Sequence, residues 1–192
     1  MLETIQEQGI MRVYGCGGGG INLTKAFAGV GSNVVKEPGV ANVKIVYLDT
    51  SRSNLNGVAD DAEVFIVPEM DGGGSFRATT YQPIKEQIPR IMKDYPPTDF
   101  NVVVFTAGGG TGGVFGGLLI EELVTRKQNV IAITVGSQDS VKAASNTFST
   151  LKTLDNISRT KGRPVVMHYS TNSSETPRSM VDKDVAFVLS SL

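Results

Sequence analysis

The chain has 192 residues, 18 of them basic and 19 acidic, with a formal net charge of −1 and a single cysteine. This balance argues against a polybasic arm for nucleic acid or a membrane surface, and one cysteine excludes an intramolecular disulfide. No stretch of about 18 apolar residues is present and residues 1–7 lack the pattern of a signal peptide. We therefore expect a soluble cytoplasmic protein with no nucleic-acid partner and no membrane insertion.

Six short apolar runs predict β-strands. Most are rich in β-branched residues, and the run 102–105 is continuously apolar, as is typical of a central parallel strand covered on both faces. In chain order the predicted strands are 11–14, 43–48, 64–67, 102–105, 130–135 and 164–169.

Helices are predicted between these strands, with a weak start at 22–27 and a helix over 113–127. Three further segments carry apolar residues at three- and four-residue spacing, which indicates amphipathic helices with one buried stripe each. The predicted stripes are Tyr81, Ile84, Ile88, Ile91 and Tyr95; then Val141, Ala144, Phe148, Leu151 and Leu154; and last Val181, Val185, Val188 and Leu192.

The alternation of strands and helices predicts an α/β fold, a doubly wound and mainly parallel six-stranded sheet with right-handed crossovers. In such sheets ligands bind at the carboxyl ends of the strands, near the point where the strand order reverses. We therefore look for the site in the loops that follow the strands.

Glycine is concentrated in those loops. It makes up 22 of the 192 residues, about 11% against a usual ~7%, and occurs in blocks at 15–20, 72–74 and 108–113. Glycine lets backbone N–H groups converge on a phosphate, and a following helix N-terminus adds about half a positive charge. Tight turns alone need one or two glycines, so the third block in particular predicts a phosphate loop.

Two common nucleotide motifs fit these blocks poorly. The first block matches G-x-G-x-x-G, but the acid expected about 20 residues further on is first found at Asp49, about 30 residues on. Neither strand-following block continues into the Lys-Ser/Thr of a P-loop. A Rossmann-type enzyme with a nicotinamide cofactor stays open as the weaker alternative.

The third block resembles the phosphate loop of the tubulin/FtsZ superfamily, Gly-Gly-Gly-Thr-Gly-Ser/Thr-Gly. It departs from that pattern with Gly113 at the hydroxyl position and Val114 in place of the last glycine. The first block is similar to the FtsZ stretch Gly-Gly-Gly-Gly-Asn, with Ile21 inserted before Asn22. The Val114 departure and the stretches 150–156 and 164–169 are especially similar to the phage-encoded tubulin-like proteins.

Two further loops carry the same resemblance. Asp49 with Thr50 is similar to the acid that follows the second strand in the family, and the Asp-Gly-Gly-Gly-Ser stretch 71–75 occupies the place of its γ-phosphate-sensing loop. The match runs in order along essentially the whole chain. Agreement of four loops is more specific than any one of them.

The resemblance implies that the ligand is a guanine nucleotide, GTP or GDP, with Mg²⁺ held mainly by phosphates and water. It implies that Asn22 approaches the base, that Asn172 hydrogen-bonds it and that Asp139 lies near the ribose. An ordinary loop residue at 172 and a helix N-cap at 139 stay open as alternatives. The other predicted nucleotide contacts are Asp49, the phosphate-loop residues Gly17, Gly18, Gly19, Gly20, Gly108, Gly109, Gly110, Thr111, Gly112 and Gly113, and the γ-phosphate loop Gly73, Gly74 and Ser75.

The same resemblance implies the domain organisation. It consists of an N-terminal extension over 1–10, a nucleotide-binding domain over 11–178 and the start of a C-terminal helix over 179–192. In the family, an acidic loop beyond that long helix enters the site of the next subunit and triggers hydrolysis. Since the sequence ends at Leu192, no catalytic residue is assigned. We expect either a shortened form or a relative that consists of the nucleotide domain.

Two functions are compatible with this domain organisation. The first is a guanine-nucleotide-binding, filament-forming protein of the phage tubulin type, which self-associates or joins other assembly subunits in the host cytoplasm. The second is a reduced tubulin-like subunit with a structural or regulatory role and no GTP hydrolysis, possible also within a phage particle. Whether the chain is a GTPase is left open.

Cys16 interrupts the first glycine block. We interpret it as a small loop residue, although a thiolate beside a helix N-terminus would be stabilised. His168, in the sixth predicted strand, is interpreted as a core or edge residue.

Overall fold

Six parallel strands position the binding edge of the molecule. The computed structural model describes residues 9–34, 42–172 and 176–192. Its strands are β1 (Ile10–Cys16), β2 (Asn42–Asp49), β3 (Glu63–Ile66), β4 (Phe100–Thr106), β5 (Val130–Ser137) and β6 (Val166–Asn172). They form one sheet in the order β3-β2-β1-β4-β5-β6.

Five α-helices are found in the described residues, and together with the strands they confirm the predicted doubly wound sheet. They are α1 (Gly17–Val34), α2 (Arg77–Asp94), α3 (Gly112–Thr125), α4 (Val141–Lys161) and α5 (Arg178–Ser190). The chain steps from β1 outward to β3 and then crosses to β4, on the other side of β1. The carboxyl ends of β1 and β4 are therefore neighbours, with Cys16 paired to Phe105, and this is the switch point at which such sheets bind ligands.

Each face of the sheet has its own buried core. Helices α2, α3 and α4 cover one face, where Phe105, Phe115 and Leu119 are fully buried. Helices α1 and α5 cover the other face, where Leu23 and Val185 are buried. Coverage on both faces explains why the central strand β4 is continuously apolar.

Two helices begin earlier than the sequence indicated. Helix α1 begins at Gly17 rather than near Asn22, so the first glycine block forms the first turn of the helix. Helix α2 begins at Arg77 and contains both Pro83 and Pro89. Tyr81, predicted to be buried, is exposed at the surface of α2.

The predicted stripe of α4 is wrong in its first two turns. Val141 is 90% exposed and Phe148 is 69% exposed, whereas Thr147 and Thr150 face the sheet and Leu154 is buried as predicted. The threonines are buried because they bond to loop ends: Thr147 Oγ1 accepts from the N–H of Ser137 at 3.1 Å, and Thr150 Oγ1 donates to the carbonyl of Ala107 at 3.0 Å.

The last helix is close to its prediction. Val181 and Val185 are buried as predicted, and Ala186 and Leu189 complete the buried face of α5. Leu192 lies beyond the end of the helix and is exposed, so it does not belong to the stripe. Residues 1–8 of the predicted extension lie outside the described residues, and β1 already begins at residue 10. Within the described ranges, no helix combines the length and apolarity needed to cross a bilayer.

The face of α4 is tested by two truncations on the same helix. We expect Leu154→Ala, which removes a side chain that is 3% exposed, to lower the free energy of unfolding by about 2–5 kcal/mol. Phe148→Ala should change it by less than about 0.5 kcal/mol, because the ring lies at the surface. Urea denaturation measures both free energies of unfolding. A loss of more than about 2 kcal/mol in Phe148→Ala would show that this ring is buried in the core and would contradict the observed face of α4.

Candidate functional site

The loops after β1 and β4 are in backbone contact. Gly17 has φ 68°, and a Cβ built there would lie 2.7 Å from the amide nitrogen of Gly112. No side chain fits in this gap, so glycine is required at position 17 by both conformation and space. As a result α1 and α3 begin side by side, and their N-terminal N–H groups and dipoles point to the same edge of the sheet.

The loop after β4 keeps several amides available for a ligand. Among the described residues the amide of Gly109 donates to the carbonyl of Thr106, at a long 3.4 Å, while those of Gly108, Gly110 and Thr111 donate to no protein acceptor. Backbone N–H groups are rarely left without a partner unless water or a ligand can reach them. This loop therefore has the donors that a phosphate needs.

The loop after β3 closes on the same loop. A Cβ at Gly110 would lie 2.6 Å from the carbonyl carbon of Ser75, so the two loops also touch through their backbones. Ser75 has φ 63°, an uncommon backbone conformation for a residue with a side chain. The hydroxyl of Thr80, in the first turn of α2, donates to the carbonyl of Gly110 at 2.9 Å.

Helix α4 holds both loops from the side. The amide of Asn146 lies 3.1 Å from the carbonyl of Ser75 and also 3.1 Å from that of Gly108. Lys142 Nζ donates to the carbonyl of Gly74 at 3.2 Å. Both loops are thus attached to one helix, which joins the predicted γ-phosphate loop to the phosphate loop.

Asp49 is placed beside the site but is buried. Its carboxylate accepts from the N–H of Thr50 at 2.6 Å, from that of Ser51 at 3.3 Å and from Asn54 Nδ2 at 2.9 Å. Burial raises the pKa of Asp49 and these hydrogen bonds oppose the shift. Asp49 is 1% exposed, whereas the acid of a dinucleotide-binding fold must be accessible to a ribose hydroxyl.

Asp49 instead orients groups that do face the loops. Asn54, which it fixes, lies over Gly18. Thr50, whose amide it binds, has its hydroxyl 3.0 Å from that of Thr111. We expect Asp49 to act on a ligand through these side chains.

Asp139 and Asn172, predicted separately, are brought together across the ends of β5 and β6. Asn172 Nδ2 donates to both carboxylate oxygens of Asp139, at 3.0 and 2.9 Å. This hydrogen bond, with a second from Ser137, lowers the pKa of Asp139. The N-cap of α4 is Ser140, whose hydroxyl accepts from the N–H of Ala143, so the alternative of Asp139 as a helix cap is wrong.

The pair borders an open cleft of about 240 Å³. Five predicted residues line it: Gly19, Gly108, Gly109, Asp139 and Asn172. Sequence reasoning missed four polar side chains that also line it: Thr106, Ser137, Arg178 and Asp182. The available signal was the pair Arg178 and Asp182, four residues apart at the start of the helix after the sixth strand.

Other predicted residues lie outside this cleft. Asn22 is exposed on α1 and does not line it. Gly20 and Gly113 are buried, Gly20 against the backbone of β4 and Gly113 against Arg77 and Thr150. Their contacts with a nucleotide stay predictions, and packing of the helices already accounts for the small residue at these two positions.

Cys16 is a buried residue at the end of β1. Burial, with a further contribution from the charge of Asp49, raises the pKa of its thiol well above the usual value. The thiol contacts the carbonyl of Tyr14 at 3.5 Å. Its full burial agrees with the interpretation of Cys16 as a small structural residue. His168 is half-buried on the edge strand β6.

Comparison with known proteins gives consistent matches over nearly the whole chain. The chain is 30% identical over 181 residues to the phage tubulin-like protein of Pseudomonas phage PhiPA3, covering 94% of this chain and 54% of that protein. The corresponding protein of Pseudomonas phage phiKZ is 29% identical, with 94% of this chain covered and 56% of the relative. The chain thus spans about half the length of these curated relatives. No protein-family model matches the sequence.

Solved structures agree with the sequence relatives. The fold superposes on the TubZ protofilament from bacteriophage PhiKZ with a TM-score of 0.83 and 29% identity, covering 94% of this chain and 55% of that one. A GDP complex of the phage tubulin PhuZ gives a TM-score of 0.79 at 25% identity, over 94% of this chain and 54% of that one. The resemblance stated from the loops is confirmed, both in fold and in the group of relatives.

The loop contact is tested by adding one methyl group in two places on α1. Gly17→Ala should destabilise the protein by about 1–2 kcal/mol from the left-handed backbone alone, with a further loss from the clash with Gly112. Gly29→Ala is the control, since a Cβ there meets nothing within 4 Å and should stabilise the helix by about 0.5–1 kcal/mol. Urea midpoints measure both; equal effects of the two changes would contradict the contact.

Proposed function

The chain is a tubulin/FtsZ-superfamily domain related to the phage tubulin-like proteins, and we propose that it binds a guanine nucleotide, GTP or GDP, at the carboxyl edge of its sheet. The observation that carries the proposal is the meeting of three glycine loops at that edge. Within the part of the chain that the structure describes, they leave the amides of Gly108, Gly110 and Thr111 without a protein acceptor, beside the N-termini of α1 and α3. This arrangement provides both the donors and the positive potential that polyphosphate requires.

The phosphate end of the site is formed by the loops after β1, β3 and β4. In this proposal Gly17 to Gly20 and Gly108 to Gly113 supply backbone donors, and Gly73 to Ser75 contact the third phosphate of GTP. Thr111 adds a hydroxyl, which Thr50 orients at 3.0 Å. Mg²⁺ would enter with the nucleotide and be coordinated by its phosphate oxygens and water.

The base end of the site is acidic. Asp139 and Asp182 line the cleft beyond the glycine loops, together with the amide of Asn172. Guanine presents two neighbouring donors, the N1–H and the 2-amino group, which a carboxylate accepts as a pair. Adenine presents an unprotonated N1 at the same place, which a carboxylate repels. The acidic end therefore favours guanine, with Asp182, the less exposed of the two acids, as the group that reads it.

Assembly is the second part of the proposal. Solved relatives include a TubZ protofilament and a PhuZ filament, and we propose that this chain self-associates or joins related subunits in the host cytoplasm. In the proposed assembly, hydrolysis requires groups from a neighbouring subunit, as the family resemblance implies. A structural or regulatory subunit that binds nucleotide without hydrolysing it is the alternative within the same family.

Base recognition is tested by calorimetric titration of the purified chain with GDP and ADP. We expect GDP to bind more tightly, and Asp182→Asn to weaken GDP binding by about 10- to 100-fold, the equivalent of about 1–3 kcal/mol for a bidentate contact, with ADP unaffected. Asp184→Asn is the matched control, because Asp184 is exposed on the same helix and should bind as the wild type does. Equal affinity of the wild type for GDP and ADP, or no binding of either, would contradict the proposal.

Assembly is tested by incubating the chain with GTP and Mg²⁺ and measuring sedimented protein and released phosphate. Sedimentation that depends on GTP supports filament formation, and turnover without an added partner rules out the non-hydrolysing subunit. Binding with neither sedimentation nor phosphate release would contradict the filament proposal for this chain and favour the subunit alternative.

A further inference from the structure

We propose that Arg77 supplies a fixed positive charge behind the loop after β4, and that this charge strengthens nucleotide binding increasingly with the number of phosphates. The inference rests on the proposed nucleotide site and concerns a residue that neither the glycine motifs nor the named relatives assign. It starts from one of the two departures of the third glycine block from the family pattern, Gly113 in place of Ser or Thr.

The space beside Gly113 is filled by the guanidinium of Arg77. A Cβ built on Gly113 would lie 2.7 Å from Arg77 Nη1 and 2.7 Å from Thr150 Oγ1. Arg77 Nη1 donates a hydrogen bond to Thr150 Oγ1, which in turn donates to the carbonyl of Ala107 at 3.0 Å. A side chain at position 113 would therefore compete with the guanidinium for the same space, and the glycine lets the charge lie against the first turn of α3.

The charge of Arg77 has no counter-charge in the part of the chain that the structure describes. The residue is half-buried, it forms no ion pair there, and its guanidinium donates to the neutral hydroxyl of Thr150. Burial lowers the pKa of Arg77, and no neighbouring carboxylate opposes the shift. An arginine nevertheless stays charged at neutral pH. Because a cation that is withdrawn from water without an anionic partner costs free energy, an anion bound nearby would remove part of this cost.

The helices around Arg77 add to the positive potential. Arg77 is the first residue of α2, and the first turns of α2 and α3 contain no acidic residue. Since the N-terminus of a helix carries about half a positive charge, a cation at this position is unfavourable in isolation. Gly113 is the second residue of α3, so two positive helix ends and one guanidinium lie together. An anion at the loop after β4 would relieve their mutual repulsion.

The polyphosphate of the proposed complex is the anion that fits this place. Gly113, which Arg77 contacts, belongs to the same glycine block as the amides of Gly108, Gly110 and Thr111, which have no protein acceptor among the described residues. Arg77 approaches that block from the side of α2 and α4, so it acts on the phosphates through space and is a positioning residue. Charges that are partly buried are screened less than exposed ones. Each further phosphate therefore gains from the same guanidinium, whereas the base and the ribose gain nothing from it.

The test compares a non-hydrolysable GTP analogue, GDP and GMP by calorimetric titration of the full chain. Arg77→Gln removes the charge, and we expect it to weaken binding of the GTP analogue by about 10-fold, of GDP by less, and of GMP by less than about 2-fold. Arg77→Lys keeps the charge and should bind all three ligands within about 3-fold of the wild type. Arg90→Gln is the matched control, because Arg90 is exposed near the other end of the same helix and its loss changes the net charge equally; it should leave all three affinities unchanged.

Gly113→Ser is a second variant that displaces the charge without removing it. The serine restores a residue of the family pattern and takes the space of the guanidinium, so we expect the same graded loss as in Arg77→Gln. Adding Gly113→Ser to Arg77→Gln should weaken binding of the GTP analogue by no more than about 3-fold further, because the two changes act on one contact. Circular dichroism shows which variants fold, and Gly113→Ser carries the test if Arg77→Gln does not.

A purely structural role of Arg77 gives a different pattern. If Arg77→Gln weakens GMP binding as much as binding of the GTP analogue, or if Arg77→Lys loses as much affinity as Arg77→Gln, the inference is wrong. An equal loss in Arg90→Gln would indicate a general effect of net charge and would also overturn it. Titration of the unmodified chain separates the two levels: no GDP binding there refutes the proposed function, whereas GDP binding without a graded loss in the variants refutes only the role of Arg77.

Discussion

The backbone contact between Gly17 and Gly112 is the constraint on which the site depends. It exists because β1 and β4 are neighbours in a parallel sheet, so their following loops leave the same edge at the distance of one strand spacing. At that spacing two loops fit side by side only where side chains are absent. Ordinary residues would force the loops apart and separate the N-termini of α1 and α3. The glycines at positions 17 and 112 therefore determine the distance between the N–H donors at the start of α1 and those at the start of α3.

The loop after β3 is attached to the loops after β1 and β4 through a second set of contacts. Gly110 approaches Ser75, and Asn146 reaches the carbonyls on both sides of that approach. A displacement of the loop after β3 therefore acts on the phosphate loop and on α4 together. The loop after β3 is thus connected directly to a surface helix, whose exposed Val141 and Phe148 lie within five residues of Asn146.

The sequence predicted the sheet well because its strands obey simple physics. Strands covered by helices on both faces, such as β4, must be continuously apolar. The loops at the switch point, where the strand order reverses, carry the glycine blocks. The face of α4 was not predictable from apolar periodicity, because Thr147 and Thr150 are buried to satisfy polar groups at the ends of loops. Periodicity measures hydrophobic burial and does not register hydrogen-bonding demands of this kind.

The site itself was predicted unevenly for a related reason. Asp139 and Asn172 follow adjacent strands, so topology alone brings them together, and their 2.9 Å contact needs no further information. Arg178 and Asp182 enter the cleft only because Val181 and Val185 set the rotation of α5 on the sheet, which depends on three-dimensional packing. Asn22 was assigned from the family's loop, but α1 begins at Gly17, and the structure leaves its side chain exposed outside the cleft.

The two ends of the cleft differ in electrostatic character, and under the proposed function this difference would orient the nucleotide. One end offers uncharged amide donors and the positive ends of two helix dipoles, which favour anions. The other end offers two carboxylates against one guanidinium. A nucleotide bound in reverse would place its phosphates against Asp139 and Asp182 and would leave the amides of the glycine loops without the anion that they favour. Such a misfit would penalise the wrong orientation, in addition to the contacts that favour the correct one. In the proposed complex, the acids of this site would therefore contribute to specificity by repulsion as well as by hydrogen bonding.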